Sequence, residues 1–228
     1  MKIAPEVIYE DNHLLIVNKP PGMLVQGDKT GDKTLTEWAK TYIKKRYDKP
    51  GDVFLNPAHR IDRPVSGLVI FGRTTKALER LGKMFQKDQI AKTYLTVIKG
   101  TPDNHEDVLV HYLTKNNETN VTKAINKPKG SAKRSELSYK LLGAIAGHSL
   151  LEVKPTTGRP HQIRVQLSKI GHPIEGDLKY GYHKPKEDTN ISLHAYKLTF
   201  IHPVKKEEIS LISKPNWNLY NSLIDELD

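Results

Sequence analysis

Residues 135–157 read SELSYKLLGAIAGHSLLEVKPTT, two apolar-rich runs joined across Gly143–Gly147. Glycine accepts turn conformations that other residues resist, so the stretch predicts two strands closed into a hairpin. A connection this short makes the strands antiparallel, because parallel neighbours need a much longer crossover. The segments around it agree. Upstream, AKTYLTVIKG (91–100) alternates Tyr94, Thr96 and Ile98 against Leu95 and Val97 and reads as a strand closed by Gly100. GLVIFG (67–72) is a short β-branched apolar run that reads as a buried strand, and HLLIVNKP (13–20) is another, turned by Pro20, Pro21 and Gly22. Downstream, LHAYKLTFIHP (193–203) and EEISLIS (207–213) form a further strand pair.

Helical periods sit between these strands. In KTLTEWAKTYIKKRY (33–47), Leu35, Trp38, Tyr42 and Ile43 recur at helical spacing behind Thr34 or Thr36 as a cap. In TTKALERLGKMFQKD (74–88), Leu78, Leu81, Met84 and Phe85 make one apolar face. GRPHQIRVQLSKIG (158–171) predicts a short helix with Ile163, Leu167 and Ile170 on one face and Arg164 and Gln166 on the other. NLYNSLIDELD (218–228) predicts a closing helix. The stretch 114–134, TKNNETNVTKAINKPKGSAKR, holds Lys115, Lys123, Lys127, Lys129, Lys133 and Arg134 against Glu118 alone and shows no sustained apolar period, which predicts a mobile basic loop. Strands and helices are interspersed without a steady βαβ rhythm. The expected class is therefore α+β, a mixed, largely antiparallel sheet with flanking helices, folded as one domain over residues 1–228.

Composition narrows the function. The 36 Lys and Arg exceed the 26 Asp and Glu to give a net charge of +10 and a pI near 9.5, a surplus that favours a polyanionic partner, nucleic acid above all. No apolar run is long enough to span a membrane and the start resembles no export signal, so a cytoplasmic protein with no membrane partner is expected. The absence of cysteine removes disulfides and thiolate metal sites. Neither a Walker loop, nor GxGxxG after a strand, nor a GxSxG elbow occurs, and the ten histidines form no HExxH or HxH pair.

Three polar concentrations remain: AHRID (58–62), AKTY (91–94), and TTGRPHQIR (156–164) with its continuation GHPIEGDLKYG (171–181). Asp62 stands between Arg60 and Arg63 at the mouth of a core strand, where it reads either as a turn ion pair or as a functional carboxylate. Arg159, His161 and Arg164 lie beside breaker residues, either as the rim of a cleft or as surface phosphate contacts. An arginine near a half-buried aspartate would keep it ionised and aimed, which suits a nucleophile. The residues alone carry the reading no further.

At these three places the chain resembles the RluA-type pseudouridine synthases. HRIDRPVSGLVI, AKTYLTVIKG and GRPHQIRVQLSKIGHPIEGDLKYG stand in the family's order, and the opening IYEDNHLLIVNKPPGMLV and the tail SLHAYKLTFIHP extend the likeness over nearly the whole chain. The resemblance implies a synthase catalytic fold with a central RNA-binding cleft and no separate N-terminal RNA-binding domain. It implies isomerisation of uridine in transfer or ribosomal RNA, through base flipping, in a monomer that needs no cofactor or metal. By it Asp62 is the catalytic carboxylate, Tyr94 lies against the uracil, and Arg164 pairs with the carboxylate. Arg60 would fill the space left by the flipped base. His59, Arg63, Arg159, His161, Lys123, Lys127, Lys129 and Lys133 are the further expected RNA contacts. Pro64, Val65, Gln166 and Gln26 depart from the family pattern and bear on substrate contacts rather than on catalysis. The competing readings are a non-catalytic RNA-binding or assembly protein that keeps the fold, and a His/Asp phosphoesterase acting on RNA.

Overall fold

The computed structural model describes residues 4–28, 30–186 and 190–227. In chain order the first elements are β1 (Glu6–Glu10), β2 (Leu14–Lys19), α1 (Leu35–Arg46), β3 (Asn56–Pro57), β4 (Ser66–Gly72), α2 (Thr75–Gln86) and β5 (Ala91–Lys99). They are followed by β6 (Glu106–Asn116), β7 (Val121–Ile125), β8 (Lys133–Ile145), β9 (His148–Pro155), α3 (Gln162–Lys169), β10 (Leu193–Ile201), β11 (Glu208–Ile212) and α4 (Asn221–Asp225). The backbone divides into two compact units, Met1–Ala91 with Ala195–Ser213, and Lys92–His194 with Lys214–Asp228.

In the first unit the strands run in the order β1-β2-β4-β10, with β11 on β10 and β3 on β4. The unbroken apolar run of β2 reflects burial on both faces. Leu14 and Ile16 pack with Leu68, Ile70, Leu198, Phe200 and the α2 residues Ala77 and Leu81, while Leu15 and Val17 point to the opposite face and are equally buried. Each such side chain removed from water stabilises the fold by about 1.5–3 kcal/mol. Thr34 caps α1 through a capping box with Glu37, and Thr74 caps α2 by accepting from Ala77 N–H. Trp38 and Tyr42 stack on each other with ring centroids 5.7 Å apart, and Leu35, Ala39 and Ile43 are the buried residues of α1. Gly67 has φ +110°, and a Cβ there would lie 2.4 Å from the Ala195 carbonyl oxygen, so only glycine lets β4 approach β10 this closely.

The second unit is an antiparallel ladder in the order β5-β9-β8-β6-β7. The β8–β9 hairpin closes at Ala146–Gly147, and its register shifts between Leu141 and Gly143, where β8 carries a bulge. The basic stretch 114–134 is not the structureless loop its charge suggests. Its first residues complete β6, its last begin β8, and Val121–Ile125 form β7, paired with β6 from Tyr112–Ile125 to Asn116–Val121. A local turn makes this possible: Asn116 Oδ1 accepts from Glu118 N–H at 2.9 Å and from Thr119 N–H at 3.0 Å, and Asn120 takes φ +51°. Val121 and Ala124 then pack on Leu113, Val165 and Tyr180. One exposed lysine and a buried threonine within this five-residue strand hide its pattern from the sequence.

Candidate active site

Asp62 lies in the first unit, on the segment between β3 and β4, half-buried. Its carbonyl accepts from Val65 N–H at 3.1 Å, closing a turn through Arg63 and Pro64 just before the buried Val65. His59 is also tied to β4: its Nε2 accepts from Ile70 N–H at 3.1 Å and its ring lies 4.7 Å from that of Phe85. The histidine therefore braces the segment, a packing role that its place in the sequence does not reveal. Arg60 and Arg63 are exposed; Arg63 reaches Asp32 at 2.8 Å and donates from Nε to the Gly22 carbonyl at 3.1 Å.

Lys19, which in the sequence is only the end of a strand, is fully buried beneath this segment. Its Nζ donates to the carbonyls of Pro20 at 3.0 Å, Met23 at 2.8 Å and Arg63 at 3.1 Å. The three acceptors match the three N–H donors of an ammonium. Burial nonetheless outweighs them and the Asp62 charge, pushing the Lys19 pKa down to about 7. Lys19 thus pins the Pro20–Met23 turn to the residue that follows Asp62. The NKPPG string is its only trace in the sequence.

Tyr94 lies in the second unit on β5, opposite Val153 of β9 and half-buried between the buried residues Thr93 and Leu95. Arg164 lies on α3, which is buried on both faces: Gln162, Ile163, Arg164, Val165, Gln166 and Leu167 are all enclosed. Arg164 and Gln166, expected on the helix face away from Ile163 and Leu167, are as enclosed as those apolar residues. Gln166 Nε2 donates to the Leu109 carbonyl at 3.0 Å and meets His111 Nδ1 at 3.1 Å, holding α3 to β6, a role its amide fills where the family pattern has histidine. The Arg164 guanidinium grips Asp177, with Nε to Oδ2 at 2.7 Å and Nη2 to Oδ1 at 2.9 Å. Asp177 sits in the GHPIEGDLKYG string that carries the family resemblance, two residues after Glu175, but no periodic signal there joins it to the arginine thirteen residues earlier.

His161 takes a left-handed backbone, φ +55°, at the start of α3, and its Nδ1 lies 2.6 Å from the Tyr180 hydroxyl. Arg159 is exposed, with its N–H held by Gln162 Oε1 at 3.0 Å. Lys123 on β7, Lys127 and Lys129 in the link that follows, and Lys133 at the start of β8 are all exposed, so four cations lie along the segment that leads from β7 into β8. Among the described residues no group of three or more His, Asp or Glu side chains is arranged to hold a metal ion, and no helix is long and apolar enough to cross a membrane.

Residues 13–169 match the model of the RNA pseudouridylate synthase family. The chain belongs to this family. Ribosomal large subunit pseudouridine synthase C of Vibrio cholerae is 33% identical over 90% of the chain, and the chain spans 64% of that relative's length. Ribosomal large subunit pseudouridine synthase D of Zymomonas mobilis is 32% identical over 91% of the chain and 68% of its own length. tRNA pseudouridine synthase C of Vibrio parahaemolyticus is 28% identical over 90% of the chain and 87% of its own length. Among solved structures, human RNA Pseudouridylate Synthase Domain Containing 4 superposes with a TM-score of 0.77 at 20% identity, covering 97% of the chain and 92% of its own. This last likeness shows that the α+β fold is that of the pseudouridylate synthases.

Proposed function

We propose that this chain isomerises uridine to pseudouridine within a structured RNA. One observation carries the reading: the family match over residues 13–169 runs through HRID, AKTY and GRPHQIR, and so takes in Asp62, Tyr94 and Arg164 together. Asp62 supplies the catalytic carboxylate, half-buried on a segment braced by His59 and Lys19. Tyr94 lies against the uracil and moves a proton, and Arg164 presents guanidinium N–H groups to the reacting anion. The target uridine is flipped from its stack, which is least costly in loops and irregular helices. Arg60 fills the space it leaves, and Arg63, Arg159, His161, Lys123, Lys127, Lys129 and Lys133 hold the RNA backbone.

Relatives named for ribosomal RNA and for tRNA support a transfer or ribosomal RNA stem-loop as the substrate class. The protein acts as a cytoplasmic monomer and needs no cofactor, because the glycosidic bond is broken at N1 and remade at C5 of the same base. The hydrogen at C5 leaves to solvent as the new bond to C1′ forms. Purified protein incubated with RNA carrying tritium at uridine C5 should therefore release tritium to water, and mapping of total RNA with and without the gene should lose one or a few sites. RNA strand scission, or binding without tritium release, would refute the proposal.

A further inference from the structure

We propose that Asp177 and Tyr180 are positioning residues for Arg164, and that the Tyr180 hydroxyl makes the placement of this guanidinium depend on the seating of the β6–β7 hairpin. The inference rests on the reading of Arg164 as a catalytic residue. It starts from the fork with Asp177, whose two bonds of 2.7 and 2.9 Å fix the guanidinium plane. Both side chains are nearly enclosed, 6% and 1% exposed, so the pair is held in a low-dielectric setting where a carboxylate and a guanidinium stabilise each other's charge. Tyr180 covers the face, with the guanidinium carbon 5.0 Å from its ring centroid. Edge and face are both held, and Nη1 is the nitrogen outside the fork. Because Asp177 balances its charge, Arg164 serves the reaction as an aimed donor rather than as a net positive charge.

The same tyrosine touches the RNA-facing elements. Its hydroxyl accepts from Thr122 N–H of β7 at 2.9 Å and lies 2.6 Å from His161 Nδ1. The hydroxyl that accepts from β7 is therefore also the one that meets the His161 ring. Thr122 Oγ1 adds a bond to the Pro160 carbonyl at 3.1 Å, fastening β7 to the chain leading into α3. Gly176 permits the approach: its φ is +82° and a Cβ there would sit 2.3 Å from the Asn190 carbonyl oxygen, so glycine alone delivers Asp177 to this place. A hairpin lined with lysines, a histidine before α3 and the buried arginine thus share one residue.

The test measures single-turnover rate at saturating RNA alongside RNA affinity for Asp177→Asn, Tyr180→Phe and Arg164→Lys. Tyr180→Phe keeps the ring over Arg164 and removes only the tie to Thr122 and His161. Poorer aim should slow Asp177→Asn about tenfold or more and Tyr180→Phe about threefold or more, with affinity changed by less than about threefold in Asp177→Asn. A purely structural role would lower melting temperature and leave the rate at saturation unchanged in the folded variants. Should Asp177→Asn fail to fold, Tyr180→Phe decides alone. Rates within about twofold of wild type for the folded clamp variants, with Arg164→Lys at least about tenfold slower, would overturn the proposal while sparing the catalytic reading. A wild-type rate for Arg164→Lys would instead remove that reading, and the proposal with it.

Discussion

A lysine with no exposed surface is costly to keep charged, and Lys19 is tolerated because three carbonyls converge on it. Lys19→Met would relieve the burial of an ammonium but leave those carbonyls without their donor, at about 1–3 kcal/mol for each that finds no water. Chemical denaturation should show net destabilisation, and an unchanged midpoint would mean that solvent replaces the amine. The pH dependence has a definite sign. With a folded pKa of about 7 against 10.5 in the unfolded chain, the unfolded state holds the extra proton between these values, so raising pH through this window favours the folded state. The stability advantage of wild type over Lys19→Met should grow across that window, from about pH 7 to about pH 10, and a flat difference would contradict the depressed pKa. For Tyr94, proposed to move a proton, Tyr94→Phe should leave RNA affinity near wild type and slow single-turnover chemistry about a hundredfold, within the usual range for a positioned acid or base. An equal rate would leave Tyr94 only a packing role.

Among the elements, the β1–β2 connection and the segment leading from β7 into β8 behave differently because their charges are used differently. Asp11 closes the first: its Oδ1 accepts from His13 N–H and Leu14 N–H, both at 2.8 Å, and its Oδ2 meets Tyr9 at 3.0 Å and Lys205 at 2.9 Å. Burial alone would raise its pKa, but Lys205 and the two backbone donors together hold it well below the usual carboxylate range. A carboxylate with a depressed folded pKa contributes stability that is present above its unfolded pKa and lost as pH falls through the folded value. Wild type should therefore lose its advantage over Asp11→Asn on acidification below about pH 4, where the unfolded carboxylate first takes up its proton. An advantage independent of pH would show that the ionised form contributes nothing. The lysines of that segment, by contrast, are exposed and contribute little to stability. Replacing Lys123, Lys127, Lys129 and Lys133 by Gln should leave the melting temperature nearly unchanged and weaken binding to different RNAs alike. On helical RNA the salt dependence should flatten by up to about 0.9 for each phosphate that the variant no longer neutralises. An unaltered slope would show that this segment does not touch RNA.

For the whole molecule, legibility in the sequence follows periodicity. The strands β2, β4, β5, β8 and β9 and the helices α1, α2 and α3 can be read because apolar spacing and glycine punctuation mark them. β7 cannot, since its single lysine and single threonine give no apolar alternation and the turn before it depends on one asparagine side chain. The site divides in the same way. Motif strings expose Asp62, Tyr94 and Arg164, whereas Lys19 and Asp177 act through contacts between residues distant in sequence, which no local pattern encodes. His59 and Gln166 are likewise visible as polar residues but not as braces.

The central claim is that the carboxylate of Asp62 performs the isomerisation of uridine, and Asp62→Asn tests it with almost no change in shape. Tritium release from uridine-C5-labelled RNA by the purified variant, compared with wild type at equal RNA occupancy and with folding checked by its melting curve, is the decisive measurement. The variant should fold, bind RNA as wild type does and release no tritium above the protein-free background. Release at a readily measured fraction of the wild-type rate would place the chemistry on another residue.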